Sequence, residues 1–317
     1  MKQRVLTGIV YVFVMLCLLA MKIFIPPIES GVEFGAVGID ILFTLISIIG
    51  AYEFTRAVGE HKTAGDDGIS KIQRWCVLIT CALITPVFAI VKMLSVHLTY
   101  VNGAVSADPI GGPALIALLT VASLGAMVTA SMTVFDHDRS DLKSTAYAEL
   151  CILYCGLLVS VIPNINHLME NSAVAITLLF VIVPAVDTFA FIFGRLFGKI
   201  WPLKLAPKTS PNKTVIGAIG GVIGGVFAAM LVWVLSEFAG FPVFNHSGRL
   251  PKWLLLIIIS IPTAILAQLG DLFESAVKRG CGIKDMGKLL PGHGGVLDRF
   301  DSMLFAAVSI VVSFMII

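Results

Sequence analysis

Charge is what this chain has least of. Only 13% of its 317 residues are Asp, Glu, Lys or Arg, while 57% are hydrophobic and the mean hydropathy is +0.96. A water-soluble domain of this size has no means of burying so much apolar surface, so lipid must be the solvent. Missing too are an internal repeat, a low-complexity linker and any C-x-x-C pair. Cys17, Cys76, Cys81, Cys151, Cys155 and Cys281 are scattered, and Cys151 with Cys155 reads as two buried small hydrophobes on one helix face. Segments 59–74 and 96–109, with their Gly and Asp, read as ordinary connecting loops.

What is present is a series of long apolar runs. Crossing the hydrocarbon takes about 20 apolar residues as a helix. By that rule nine segments qualify: 4–25, 35–58, 75–95, 110–134, 145–163, 173–195, 214–239, 253–277 and 299–317. The expected fold is therefore an all-α polytopic integral membrane protein of about nine transmembrane helices. The first run follows Lys2 and Arg4, is about twice as long as the apolar region of a signal peptide, and lacks a clear small-residue cleavage site, so it reads as a retained anchor. With the N-terminus cytosolic, all but four of the 22 basic residues (Lys22, Lys92, Arg249 and Lys252) fall in cytosolic segments. Nine crossings then put Ile317 outside. Residues 1–170 form about five N-terminal helices, and 171–317 are expected to carry a catalytic, cytosol-facing site.

The scarce charge is concentrated. The stretch KRGCGIKDMGKLLPGHGGVLDRFDS, Lys278 to Ser302, holds five Lys or Arg, three Asp and a His between two apolar runs. Just before it, Gln268, Asp271, Glu274, Ser275, Lys278 and Arg279 recur at helical spacings of three and four, a polar stripe at the end of a membrane helix. A carboxylate in lipid costs about 2.5–3.5 kcal/mol on insertion scales, so that stripe should face protein or water. Internal pairing of Asp271 or Glu274 with Lys278 is one explanation. Asp298 and Asp301, spaced i, i+3, with Ser302 one turn after Asp298, suggest another. Starting the last helix near Asp298 makes it long enough to span and places both acids at the lipid–water boundary. Clustered carboxylates repel unless a cation lies among them, and oxygen-only ligands suit Mg²⁺.

Between the two helices, Gly292, Gly294 and Gly295 permit conformations and close approaches that side chains would block. Amides freed in such a loop, with Lys284, Lys288 and His293, make a cradle for polyphosphate. A second basic stretch, FGRLFGKIWPLKLAPKTSPNKTVIGAIGG, ends with Lys213 and Thr214 just before a helix, where anions are favoured. Lys199 and Lys204 read as ordinary positive-inside residues, and Gly217 to Gly225 as a close-packing face. Asp187, inside the sixth run, is a functional candidate with Lys278 or Arg279 as possible partner. Asp40, Glu53 and Glu149 read as structural. Together these residues suggest metal-assisted phosphoryl or nucleotidyl transfer to a lipid at a cytosol-facing cavity.

Ser275, Lys278, Arg279, Lys284 and Asp285, then PGHGG and LDRFDS, resemble the signature of the CDP-diacylglycerol synthases, also called phosphatidate cytidylyltransferases. The upstream GRLFGK, LAPKTSPNKT and GAIGG also resemble that family, so the likeness covers roughly 184–302. Ile216 and Phe189 depart from it, standing where members often carry Glu and Gly. The resemblance implies that CTP and phosphatidate, taken from the inner leaflet of the bilayer, become CDP-diacylglycerol and pyrophosphate with Mg²⁺. It gives Asp271 and Asp298 as metal ligands with Asp301 close by. Lys278, Arg279 and Arg299 match positions where a cation neutralises substrate phosphates, and Asp271, Asp298, Lys278 and Arg279 are the expected catalytic set. Lys213, Ser275, Lys284, Asp285, His293, Gly294, Gly295, Arg299 and Asp187 are the expected substrate contacts. The analogy admits K⁺ beside Mg²⁺, a homodimer and a bacterial inner membrane, and no nucleic-acid partner.

Two other functions fit parts of the pattern. A CTP-dependent kinase of a polyprenol or other lipid alcohol would share a basic, metal-binding face. An ion-coupled transporter would use Asp187 and Asp271 but calls for a midplane site and paired repeats, whereas these charges crowd one face. A CDP-alcohol phosphotransferase is disfavoured, because D-x-x-D-G-x-x-A-R followed by G-x-x-x-D-x-x-x-D is absent.

Overall fold

A computed structural model describes residues 2–25, 34–60, 69–101, 112–135, 141–168, 172–238, 250–290 and 294–316. Among these, nine helical rods follow one another: α1 (Lys2–Phe24), α2 (Phe34–Glu60), α3 (Lys71–Val101), α4 (Gly112–Phe135), a rod running from α5 (Leu142–Cys151) through a π-helical stretch (Ile152–Leu158) to α6 (Val159–Leu168), α7 (Ser172–Phe197), α8 (Val215–Phe238), α9 (Lys252–Gly280) and α10 (Leu297–Ile316). Each of the nine expected segments corresponds to one rod. Seven described rods, α2 to α9 with α5–α6 counted once, are long and apolar enough to cross a membrane. Pro86, Pro163, Pro184 and Pro262 lie inside helices, as membrane helices tolerate when neighbours satisfy the freed backbone.

The chain divides into two compact units, one of residues 1–168 and 281–299, the other of 169–280 and 300–317. In the first, α2 is packed by α1, α3 and the α5–α6 rod, with Phe43, Phe54, Phe88, Ile84, Ile162 and Ile165 fully buried. Asp141 starts α5 by accepting a hydrogen bond from the Ser144 amide at 2.7 Å. The π-helical stretch is tied to α2 where the Ser47 hydroxyl donates to the Cys155 carbonyl at 2.7 Å. Cys151 and Cys155 are both buried. Near the other end of α2, Asp40 meets the His167 ring at 2.8 Å, and the Asn166 amide donates to the Ala36 carbonyl at 3.0 Å.

In the second unit α7 and α8 pack closely because α8 presents glycines. A Cβ at Gly217 would stand 2.9 Å from the Ala190 carbonyl oxygen, and one at Gly221 3.2 Å from that of Val186. A second glycine row, Gly220 and Gly224, lies under the rings of Phe193 and Phe189, which stack with centroids 6.4 Å apart. The glycines thus serve packing, and Phe189 is accommodated by the bare backbone at Gly224. α9 and α10 meet at Gly270, where a Cβ would be 2.5 Å from the Asp301 carbonyl oxygen. Thr263 donates to Ser309 at 3.2 Å, and the Phe273 and Phe305 rings are 5.5 Å apart.

One element departs from the all-helical expectation. The segment before α8 is a small antiparallel hairpin, β1 (Lys204–Ala206) and β2 (Ser210–Thr214), pairing Lys204 with Thr214 and Ala206 with Ser210. No period-two pattern announces it, since Pro207, Pro211 and three lysines interrupt the run. The helices that follow it supply the template instead: β2 packs on α8 and α9, and the Val215 amide donates to the Leu203 carbonyl at 3.0 Å.

Candidate functional site

The second unit holds a cavity of about 500 Å³ whose lining includes Asp187, Arg195, Asn212, Lys213, Gln268 and Asp271. The hairpin carries Lys213 to it, α7 carries Asp187 and Arg195, and α9 carries Gln268 and Asp271. The Lys213 ammonium forms an ion pair with Asp271 Oδ2, while the Ser275 hydroxyl approaches Asp271 Oδ1 at 3.4 Å. Gln268 Nε2 donates to the Ala264 carbonyl at 3.1 Å, which holds that side chain at the wall. Thr214 also lines the cavity. Its hydroxyl accepts from the Gly217 amide at 3.1 Å and caps α8.

One turn beyond Asp271, Glu274 is fully buried and accepts a hydrogen bond from Lys278 Nζ at 2.7 Å. Of the two internal pairings open to Lys278, the structure forms the one with Glu274. The Asp301 carboxyl neighbours those of Glu274 and Asp271. Asp271, Glu274 and Asp301 thus bring carboxylate oxygens together, and Lys213 and Lys278 neutralise them. Carboxylates this close repel one another, and the two ammonium groups offset part of that repulsion.

The first unit holds the glycine-rich loop. Asp298, in the first turn of α10, accepts from the Gly295 amide at 2.8 Å and the Met286 amide at 2.9 Å, both on Oδ2. Gly294 has φ +89°, which L side chains rarely adopt, and a Cβ there would stand 2.9 Å from Asp298 Oδ2. The loop closes on itself where the Leu290 amide donates to the Gly294 carbonyl at 2.9 Å. Lys284, Asp285 and Lys288 on this loop are exposed, as are Arg279 and Arg299 at the helix ends beside it. Cys281 is buried, and burial pushes its thiol above the ordinary range. His293 and Gly292 lie outside the described residues.

Lys213, Asp187 and Asp271 therefore share one cavity, and Ser275, Glu274, Lys278 and Asp301 cluster beside Asp271. Asp298, Gly294 and Gly295 belong to one tight turn. Among the described residues, no three His, Cys, Asp or Glu form a ready-made metal cage. Reading the residues in order missed Arg195 and Asn212 at the cavity. It also missed the role of Glu53, whose carboxylate accepts from the Val296 amide at 3.1 Å and the Leu297 amide at 3.0 Å. An acid in a mostly apolar run was the available signal, but its partners lie 243 and 244 residues away.

Comparison with known proteins places the whole chain. Over 194 residues the chain is 39% identical to a phosphatidate cytidylyltransferase of Staphylococcus saprophyticus, covering 59% of this chain and 66% of that protein. It is 39% identical over 224 residues to the Helicobacter pylori phosphatidate cytidylyltransferase, covering 70% of this chain and 73% of that one. It is 28% identical over 193 residues to the Bacillus subtilis protein of the same name, covering 60% and 65%. The aligned stretches thus span about two thirds of these relatives' own length. The family profile reaches further, matching residues 2–317, so from its first helix to its last this polytopic membrane protein belongs to the cytidylyltransferase family.

Proposed function

We propose that the chain transfers the cytidylyl group of CTP to phosphatidate, giving CDP-diacylglycerol and pyrophosphate. The observation that carries this reading is the Lys213–Asp271 pair at a cavity beside the Glu274–Lys278–Asp301 cluster, in a chain of this family. In the reaction a phosphate oxygen of phosphatidate attacks the α-phosphorus of CTP. The bond from that phosphorus to the bridging oxygen of the β-phosphate breaks, and pyrophosphate leaves. The nucleophile is already ionised near neutral pH, so no strong general base is needed. The task left to the protein is to bring two polyanions together and hold the charge that builds on the leaving group.

Lys213, Lys278, Arg279 and Arg299 are the proposed phosphate clamps, with Arg195 added by the cavity. Ser275, Lys284, Asp285, His293, Gly294, Gly295 and Asp187 remain proposed substrate contacts. The oxygen-only donor set of the Asp271 cluster fits a hard divalent cation such as Mg²⁺. Asp271, Asp298 and Asp301 are its proposed ligands, with K⁺ beside it as an extension of the same analogy. Bound there, Mg²⁺ supplies neutralisation of the triphosphate and of the departing pyrophosphate. Lys213 holds Asp271 in place and has a polyphosphate as its alternative partner.

A bacterial inner membrane with this face toward the cytoplasm is the proposed location. It is supported by the bacterial relatives and by the bias of Lys and Arg to one set of loops.

The deciding experiment gives purified protein in detergent phosphatidate, Mg²⁺ and CTP labelled on the cytosine ring. Label should enter the lipid phase with wild type and be lost with Asp271→Asn. A folded wild type that leaves the lipid unlabelled overturns the reading. γ-labelled CTP with a panel of lipid alcohols would then report a kinase.

A further inference from the structure

We infer that Glu53, on α2, is the positioning residue for the glycine-rich turn that carries Asp298. This rests on the cytidylyl-transfer reading of the site. Glu53 is only 4% exposed, in a mostly apolar helix, a placement that costs free energy unless the carboxylate is satisfied. Both of its oxygens are used. Oε1 accepts from the Val296 amide at 3.1 Å and Oε2 from the Leu297 amide at 3.0 Å. Those amides open α10, where backbone donors have no partner inside the helix. Glu53 therefore caps α10 from another helix, with its negative charge at the favourable end.

The loop is shaped around this carboxylate. A Cβ on Gly295 would stand 2.5 Å from Oε2 and 2.7 Å from Oε1, and a Cβ on Gly287 would collide with Oε1. Two amides point inward, and two residues on either side of the turn lack the side chains that would expel the acid. The next residue along, Asp298, ties the same turn by accepting from the Gly295 and Met286 amides. Glu53 and Asp298 hold the two sides of one turn, so displacing Glu53 must reorient the Asp298 carboxylate. Glu53 touches no proposed substrate atom; it acts through Asp298.

Glu53→Gln keeps the volume but replaces one acceptor oxygen by a donor, so it can retain one of the two amide bonds. Hydrogen exchange on the full-length protein in detergent reads the clamp directly. The 294–299 segment should exchange about tenfold faster or more, with other segments unchanged. In the transfer assay the Mg²⁺ concentration for half-maximal rate should rise roughly 10–100-fold, with the KM for phosphatidate unchanged. Gly295→Ala, which crowds the carboxylate, should likewise speed exchange at 294–299 and raise the Mg²⁺ requirement, and the double variant should add little further. Should Glu53→Gln fail to fold, Gly295→Ala carries both measurements. Wild-type exchange at 294–299 in either variant overturns the clamp. Faster exchange with an unchanged Mg²⁺ response overturns the positioning role and leaves a structural cap. A wild type that transfers no label defeats the cytidylyl-transfer reading, while the exchange measurement still decides the clamp.

Discussion

The Lys213 ammonium, carried on the last strand of a hairpin, pairs with the Asp271 carboxylate on α9. Both side chains keep about a third of their exposure, 28% and 31%. An ion pair so open to solvent contributes little to folding, up to about 1 kcal/mol. Its cost in charge placement is better explained by what each partner can hold during the reaction.

Activity and stability should therefore separate at this pair. Asp271→Asn is expected to lower cytidylyl transfer by about 10²–10³ or more, as loss of a group facing developing charge does. Lys213→Ala should lose less. Both variants should unfold within a few degrees of wild type in a thermal melt. A large fall in the melting temperature with activity retained would reverse the assignment.

The Glu274–Lys278 pair should weigh on stability as well. Glu274 is fully buried and Lys278 is 12% exposed at the side chain. Removing one partner strands a buried charge, at a cost of about 3–5 kcal/mol. Lys278→Met should thus destabilise the protein strongly, and Glu274→Gln together with Lys278→Met should recover much of the loss. A double-mutant cycle on thermal or denaturant unfolding measures the coupling.

Gly270 lets α9 approach α10. A Cβ 2.5 Å from the Asp301 carbonyl oxygen has no flexible neighbour to displace, so Gly270→Ala should push the helices apart. The expected destabilisation is about 1–3 kcal/mol, together with lower transfer activity because Asp301 moves with its backbone. Unfolding midpoints for Gly270→Ala and Gly280→Ala give the comparison, since Gly280 has open space around it.

Cys281 should be a poor nucleophile in the folded protein. Burial raises its thiol above the usual range, so the thiolate that reacts with a maleimide is scarce at neutral pH. The folded state holds this proton more tightly than the unfolded one. The stability linked to it is therefore complete below the ordinary thiol pKa and declines as pH rises through the raised value. Labelling of Cys281 followed by mass spectrometry should be slow near pH 7 and accelerate steeply under alkaline conditions or on unfolding.

Much of the architecture was legible before any coordinates. Nine apolar runs became nine rods because a chain so poor in charge has no alternative to satisfying its backbone within helices. The start of α10 near Asp298 followed from the need to lengthen the short run that ends at Ile317. The polar stripe from Gln268 to Arg279 was readable from helical spacing, and the structure adds which members pair: Glu274 with Lys278, Asp271 with Lys213. The hairpin was not readable, because its pairing is imposed by α8 and α9 rather than by its own residues.

The sequence by itself determined the solvent, the helical rods, the segregation of charge and the family signature, since each depends on composition or on spacing within one segment. Tertiary structure alone decided that Asp187, Lys213 and Asp271 face one cavity, that Thr214 caps a helix, and that Glu53 serves a turn more than 240 residues away. Those relationships join segments distant in the chain. A carboxylate in an apolar helix signals that it needs donors, but only packing chooses which amides supply them.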